Sequence, residues 1–181
     1  MQTSVSPARR AGVMVAALCL SACAATSSGG LTPGSSTVSD VEARLGRPAM
    51  AWKNDDGSRQ LAFAQGPQGT QTFMVFIAPD GRLQRVVGVL NEPFFSQIQP
   101  GMTQEQVLRL LGPASTPPAT FARTGTLTWS WLHCASPNLM QYFNVHFDAA
   151  TGQVRATGQH PWMHGYLPGT PPCSPRNIDL S

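Results

Sequence analysis

The apolar positions of this chain fall into two runs of helical spacing, each followed by runs that alternate. Val38, Val41 and Leu45 share one helical face. Gln104, Val107 and Leu111 do the same, with Leu108 and Leu110 widening the second stripe. Thr37 with Asp40, and Thr103 with Gln106, have cap spacing: the threonine oxygen accepts from an orphan N–H, and the third residue returns a bond. Gly46 and Gly112 end the helices, and Pro48 and Pro113 prevent continuation. Helices this short do not persist alone in water, so each needs a surface to pack on.

Alternation predicts that surface. Residues 60–65 place Leu61 and Phe63 on one side, and 72–78 place Phe73, Val75 and Ile77 together. Pro79-Asp80-Gly81 then turns into a third strand over 82–90. After the second helix, Leu127, Trp129 and Trp131 share a face, then Phe143, Val145 and Phe147. Ala149-Ala150-Thr151-Gly152 turns into 153–158. Thr, Val, Leu and Gly of the two helical segments recur at an offset of 66 residues, and such a repeat sets the architecture before any local reading. The matched strand positions are Leu61 with Leu127, Phe63 with Trp129, Phe73 with Phe143, Val75 with Val145, and Ile77 with Phe147. The offset grows to 70 and then 71, which a longer first hairpin loop in the second unit explains.

The expected fold class is α+β: two tandem units, each a helix plus a three-stranded antiparallel sheet, packed as one compact two-layer domain. The units span 31–90 and 98–159. Residues 91–97 join them, and Phe94, Phe95 and the following Ile98 mark a packed connector. The segment 160–181 is a Pro- and Gly-rich tail. A unit of about 60 residues buries too little surface alone, so a shared core is expected.

The start of the chain reads differently. Arg9 and Arg10 precede a short apolar run from Ala11 to Leu20, then Leu20-Ser21-Ala22-Cys23. The run is too short to span a bilayer and reads as an export signal over 1–22. Leu-Ser-Ala-Cys resembles the lipobox of bacterial lipoproteins, which implies a lipid on Cys23. Residues 23–30 are then a lipidated flexible tether. Ala24 in place of Asp, by the same resemblance, implies the outer membrane. Ordinary secretion with an incidental Cys23 is the alternative. Removing 1–22 takes the formal charge from +3 to +1. No basic stripe marks a nucleic-acid partner.

Pro33-Gly34 and Pro100-Gly101-Met102-Thr103 each open a short Val/Leu helix that ends in Leu-Gly-Arg-Pro or Leu-Gly-Pro. This pattern resembles the SmpA/OmlA (BamE-like) family of small outer-membrane lipoproteins. Ile98 to Val107, running on to Pro113, carries the best match, and Trp129 fits the strand after the helix. The resemblance covers most of 31–158. It implies a short helical layer on a three-stranded antiparallel sheet and a part in outer-membrane protein assembly. The first unit departs from the pattern, with Ser35-Ser36 where Met-Thr would follow Pro-Gly. The tandem is also similar to the secreted β-lactamase inhibitor proteins, which implies an aromatic-rich binding face.

Catalytic chemistry is hard to assemble from these residues. His160 and His164 are four apart, but Pro161 lies between them and no Glu completes a zinc-protease motif. Alternation puts His133 and Cys134 on opposite strand faces, so they do not form a dyad. Asp55, Asp56, Asp80 and Asp148 sit in turns. No catalytic residue, metal ligand or cofactor is expected. Cys134 and Cys173, left over in an oxidising compartment, are expected to form a disulfide. A sheet with a helix on one side leaves its other face to a partner or a cover. That face would carry Met74, Phe76, Tyr142, Asn144 and His146. The expected function is a lipid-anchored, non-enzymatic interaction module at the periplasmic face of the outer membrane. Its partners would be membrane lipid, through acyl groups, and envelope proteins. A protein inhibitor or ligand-binding module is the runner-up, and an enzyme comes third.

Overall fold

Both capping threonines start helices where their spacing predicts. The computed structural model describes residues 30–65, 69–137, 139–162 and Cys173. Its elements are, in order, α1 (Val38–Leu45), β1 (Met50–Lys53), β2 (Arg59–Gln65), β3 (Gln71–Ile77), β4 (Leu83–Gly88), α2 (Glu92–Phe95), α3 (Gln104–Leu111), β5 (Ala119–Phe121), β6 (Thr126–Ser136), β7 (Leu139–Asp148) and β8 (Val154–Pro161). At α1, Thr37 N donates to Asp40 Oδ2 at 2.7 Å and Asp40 N donates back to Thr37 Oγ1 at 3.4 Å. At α3, Thr103 N donates to Gln106 Oε1 at 2.8 Å and Gln106 N to Thr103 Oγ1 at 3.2 Å. Each pair satisfies two backbone donors that the helix itself leaves orphaned.

The strands form two antiparallel four-stranded sheets, ordered β1-β2-β3-β4 and β5-β6-β7-β8. The expected three strands per sheet are therefore four. The unanticipated strands are the short edges β1 and β5. At 4 and 3 residues, Met-Ala-Trp-Lys and Ala-Thr-Phe are too short for alternation to show, although Trp52, Thr120 and Phe121 are residue types that favour strands. Each is held by pairing with a longer neighbour, Ala51 opposite Leu61 and Thr120 opposite Leu127.

The register also corrects the matching of strands. Leu61 faces Val75 and Phe63 faces Phe73, while Trp129 faces Val145 and Trp131 faces Phe143. If Val75 corresponds to Val145, then Leu61 corresponds to Trp129 and Phe63 to Trp131, not Leu61 to Leu127 and Phe63 to Trp129. Phe63 and Trp131 are alike fully buried. The extra residues lie in longer strands, since β6 has 11 residues and β7 has 10 against 7 each in β2 and β3.

Two main cores result. Val41 and Leu45 of α1 pack with Leu61, Phe63, Phe73, Val75, Ile77 and Leu83 on one face of the first sheet. Val107 and Leu111 of α3 pack with Trp131, Phe143, Val145, Phe147 and Val154 on one face of the second. The two-layer expectation fails at the other face of the first sheet, where α3 ends. A Cβ built on Gly112 would lie 2.7 Å from Thr72 Cγ2 and 3.3 Å from Ala62 Cβ. Gln60 Nε2 donates to the Arg109 carbonyl at 2.5 Å, and Trp131 Nε1 donates to the Gly112 carbonyl at 3.1 Å. One side chain from each sheet thus satisfies the last turn of the same helix, whose carbonyls have no intrahelical partner. The first sheet carries α1 on one face and the end of α3 on the other.

The connector is packed down. Phe95 stacks on Phe143 at 4.1 Å and meets His133 edge-on at 4.8 Å. The tail does not begin at 160. β8 continues to Pro161, with His160 opposite Tyr142 and Pro161 opposite Gln141.

Candidate functional site

Strand alternation sorts the second sheet into a core face and an outer face. Leu127, Trp129, Trp131 and His133 of β6 turn toward α3 or the connector, so Thr126, Thr128, Ser130, Leu132 and Cys134 turn away. Cross-strand pairing extends each outer residue into a row: Phe121–Thr126–Asp148, then Ala119–Thr128–His146–Ala156, Ser130–Asn144–Gly158 and Leu132–Tyr142–His160, ending at Cys134–Met140.

The middle rows are polar, and their side chains are tied together. Ser130 Oγ donates to Asn144 Oδ1 at 2.7 Å. Asn144 Nδ2 then lies 2.7 Å from His160 Nδ1, and an amide nitrogen can only donate. That arrangement puts the proton of the neutral His160 ring on Nε2. Thr128 Oγ1 lies 2.8 Å from His146 Nδ1. Both imidazoles lean toward the Ser130–Asn144–Gly158 row from opposite sides. His146 Nε2 is 3.9 Å from where a Gly158 Cβ would stand, and among the described residues no other atom lies within 4 Å of it apart from Gly158's chain neighbours. Asn144 is 7% exposed, held in place with its polar atoms satisfied. The Tyr142 ring lies 5.3 Å from that of His160, tilted by 36°.

The ends of the face differ. Phe121, on the edge strand β5, is 54% exposed. At the opposite end, Cys134 and Cys173 are joined by a disulfide with Cα atoms 5.7 Å apart. Leu132, Met140 and Cys173 are buried together there, with Tyr142 and Trp162 packed beside them. The disulfide therefore fixes a point of the tail over the apolar end and leaves the polar rows uncovered by any described residue.

The five residues expected on an open face separate. Tyr142, Asn144 and His146 come together on the second sheet. Met74 and Phe76 lie on the first sheet. Met74 is 1% exposed, packed with Ala62 and Val89 beneath the end of α3. Phe76 is half-buried, with the Arg85 guanidinium 4.0 Å from its ring centroid. Thr128, Ser130 and Gly158 are not among the residues that the sequence singles out, and His160 is weighed there only with His164. Thr128 and Ser130 were legible in the alternation with Leu127, Trp129 and Trp131, whereas His160 was assigned to the tail. Cys23 and His164 lie outside the described residues.

His133 is 3% exposed on the core face, and its Nε2 has no hydrogen-bond partner among the described residues. Burial pushes this imidazole below its ordinary value, against the opposing pull of the Glu92 carboxylate and the Gln159 amide. Gln159 Nε2 also donates to Glu92 Oε1 at 2.7 Å. The turn carboxylates Asp56 and Asp148 are spent on local bonds. Asp56 is held down by Ser58. Asp148 is held down by Thr151, Arg155 and Ala150. Among the described residues, no group of three or more His, Cys, Asp or Glu is placed to hold a metal ion. No described helix is long and apolar enough to cross a membrane. Comparison with protein-family models, with curated proteins and with solved structures returns no match for this chain.

Proposed function

We propose that the chain is a lipid-anchored, non-enzymatic binding module at the periplasmic face of the outer membrane, built from two tandem SmpA/OmlA-like units. Its second sheet presents the outer face to an envelope partner. One observation carries the choice of surface. The outer face of the first sheet is occupied by the end of α3, whereas the Thr128, Ser130, Asn144, His146 and His160 rows of the second are covered by no described residue and fixed by mutual hydrogen bonds. A surface whose side chains are ordered before binding loses less conformational entropy on binding. The Leu20-Ser21-Ala22-Cys23 string supports the anchor, and a disulfide suits an oxidising compartment.

The experiment is site-specific photo-crosslinking in intact cells. A crosslinker replacing Ala156, exposed in the centre of the face, should capture a defined envelope component. One replacing Glu42, exposed on α1, should not. Equal capture from both positions, or none from Ala156, rejects the face as the binding surface.

A further inference from the structure

We propose that the ligand of this face, on the reading above that the face binds, is a neutral saccharide seated over Gly158 between His146 and His160. The middle rows hold no lysine, arginine or carboxylate: they comprise Ala119, Thr128, His146, Ala156, Ser130, Asn144, Gly158, Leu132, Tyr142 and His160. Asp148 and Arg155, at the end of the face, are paired with each other. A phosphate or an acidic peptide would be met by arginine forks or lysines, and these rows hold none.

What remains is a close interleaving of donors and acceptors. His160 is exposed and its Nε2–H is a donor, the half-buried Ser130 hydroxyl keeps its acceptor lone pairs, and the buried Asn144 ties the two together. Neighbouring sugar hydroxyls, each both donor and acceptor, match such a mixture. An extended peptide offers its amides along a strand and adds to a sheet edge instead, and this network lies on the face. The relief fits as well. Gly158 and Ala156 keep the floor low, and among the described residues a Cβ at Gly158 would meet only the far tip of His146. The half-buried Tyr142 ring beside His160 adds an apolar border at one end of the polar rows.

The test uses the full mature chain in lauryldimethylamine oxide micelles, a detergent free of sugar, titrated with chitotetraose and with cellotetraose. NMR follows the Asn144 side-chain amide and the His146 and His160 rings. We expect saturable shifts with at least one of the two. Gly158→Val should weaken binding by about tenfold or more while leaving the unfolding midpoint in place. If that variant does not fold, Ser130→Ala, which removes one hydroxyl, should still weaken binding severalfold. No saturable shift with either saccharide overturns the proposal, as does equal affinity in the variants. If the Ala156 crosslinker captures a protein that excess saccharide does not displace, the saccharide is rejected while the face keeps its role. Failure of both experiments rejects the face itself.

Discussion

Gly112 and Thr72 approach so closely that a Cβ on Gly112 would stand 2.7 Å from Thr72 Cγ2, and this contact joins the end of α3 to the first sheet. Gly112 also has a φ of +74°, a region that disfavours L side chains. Gly112→Val should therefore add overpacking, at about 1–3 kcal/mol, to the backbone cost. Gly46 is the informative control. Its φ is +83°, but nothing lies within 4 Å of its Cβ position. Gly46→Val should carry the backbone cost alone. Urea denaturation of both variants isolates the close approach as their difference, and equal losses would mean that α3 does not press on the first sheet.

Leu111 is fully buried between α3 and the second sheet. Leu111→Ala should cost about 2–5 kcal/mol, whereas Asp56→Ala, in an exposed turn, should cost far less. Because the end of α3 is bonded by Gln60 and Trp131 from different sheets, both should melt in one transition. Tryptophan fluorescence reports both sheets, through Trp52 on β1 and Trp131 on β6, and far-UV circular dichroism reports the backbone. Coincident curves are the expected outcome.

These contacts show where sequence reading succeeded and where it had no signal. The caps at Thr37 and Thr103 are local, so four residues suffice to specify them. The strand matching failed by two residues, which is the error that alternation permits. A slip of one residue turns every side chain to the wrong face, whereas a slip of two leaves the apolar pattern intact. Leu127 could thus stand in for Trp129 as the partner of Leu61. The edges β1 and β5 are too short for a period of two to show, and pairing with β2 and β6 defines them. The burial of Met74 depends on a glycine 38 positions later in the chain, a long-range contact that no local pattern encodes. On the outer face, Tyr142, Asn144 and His146 were found by alternation along one strand. The bonds to Ser130, Thr128 and His160 needed the register.

Acid should destabilise the fold through His133 first. Burial lowers its folded pKa below the ordinary 6.5. The unfolded chain therefore takes up a proton below that pH while the folded chain stays neutral. Stability from this group is complete above about pH 6.5 and falls as pH drops from there toward the folded value. Glu92 opposes the shift, so Glu92→Gln should steepen the loss. His133→Phe should remove the slope in this window. Asp40, Asp56 and Asp148 are lowered from 3.8, so their contribution is lost only at more acid pH and should survive in His133→Phe. Urea midpoints measured against pH for the three proteins check the order of the two phases.

The anchor has a direct chemical readout. Cys23 should carry acyl groups at the mature N-terminus, and Cys23→Ala should leave the chain uncleaved at this site or released from the membrane. Mass analysis of the mature protein decides it. An unmodified chain beginning at another residue rejects the assignment.

The disulfide should matter for one end of the face and not for its centre. Cys134 and Cys173 are 39 residues apart in sequence, and closing a loop of that length restricts the unfolded chain by roughly 3–4 kcal/mol, less any strain in the folded state. Cys134→Ser with Cys173→Ser should lower stability by up to that amount. The loss should be local as well as global, because Cys173 is buried with Leu132 and Met140. Hydrogen exchange should speed up at the β6–β7 hairpin end, around Leu132 and Met140. The backbone amides of Thr128, Ser130 and Asn144, two rows or more from the Cys134–Met140 row, should change only by the global loss. In the unreduced wild-type chain, neither thiol should react with a maleimide. A reactive thiol at either position, or uniform exchange across both ends of the face in the double variant, would contradict a clasp at this place.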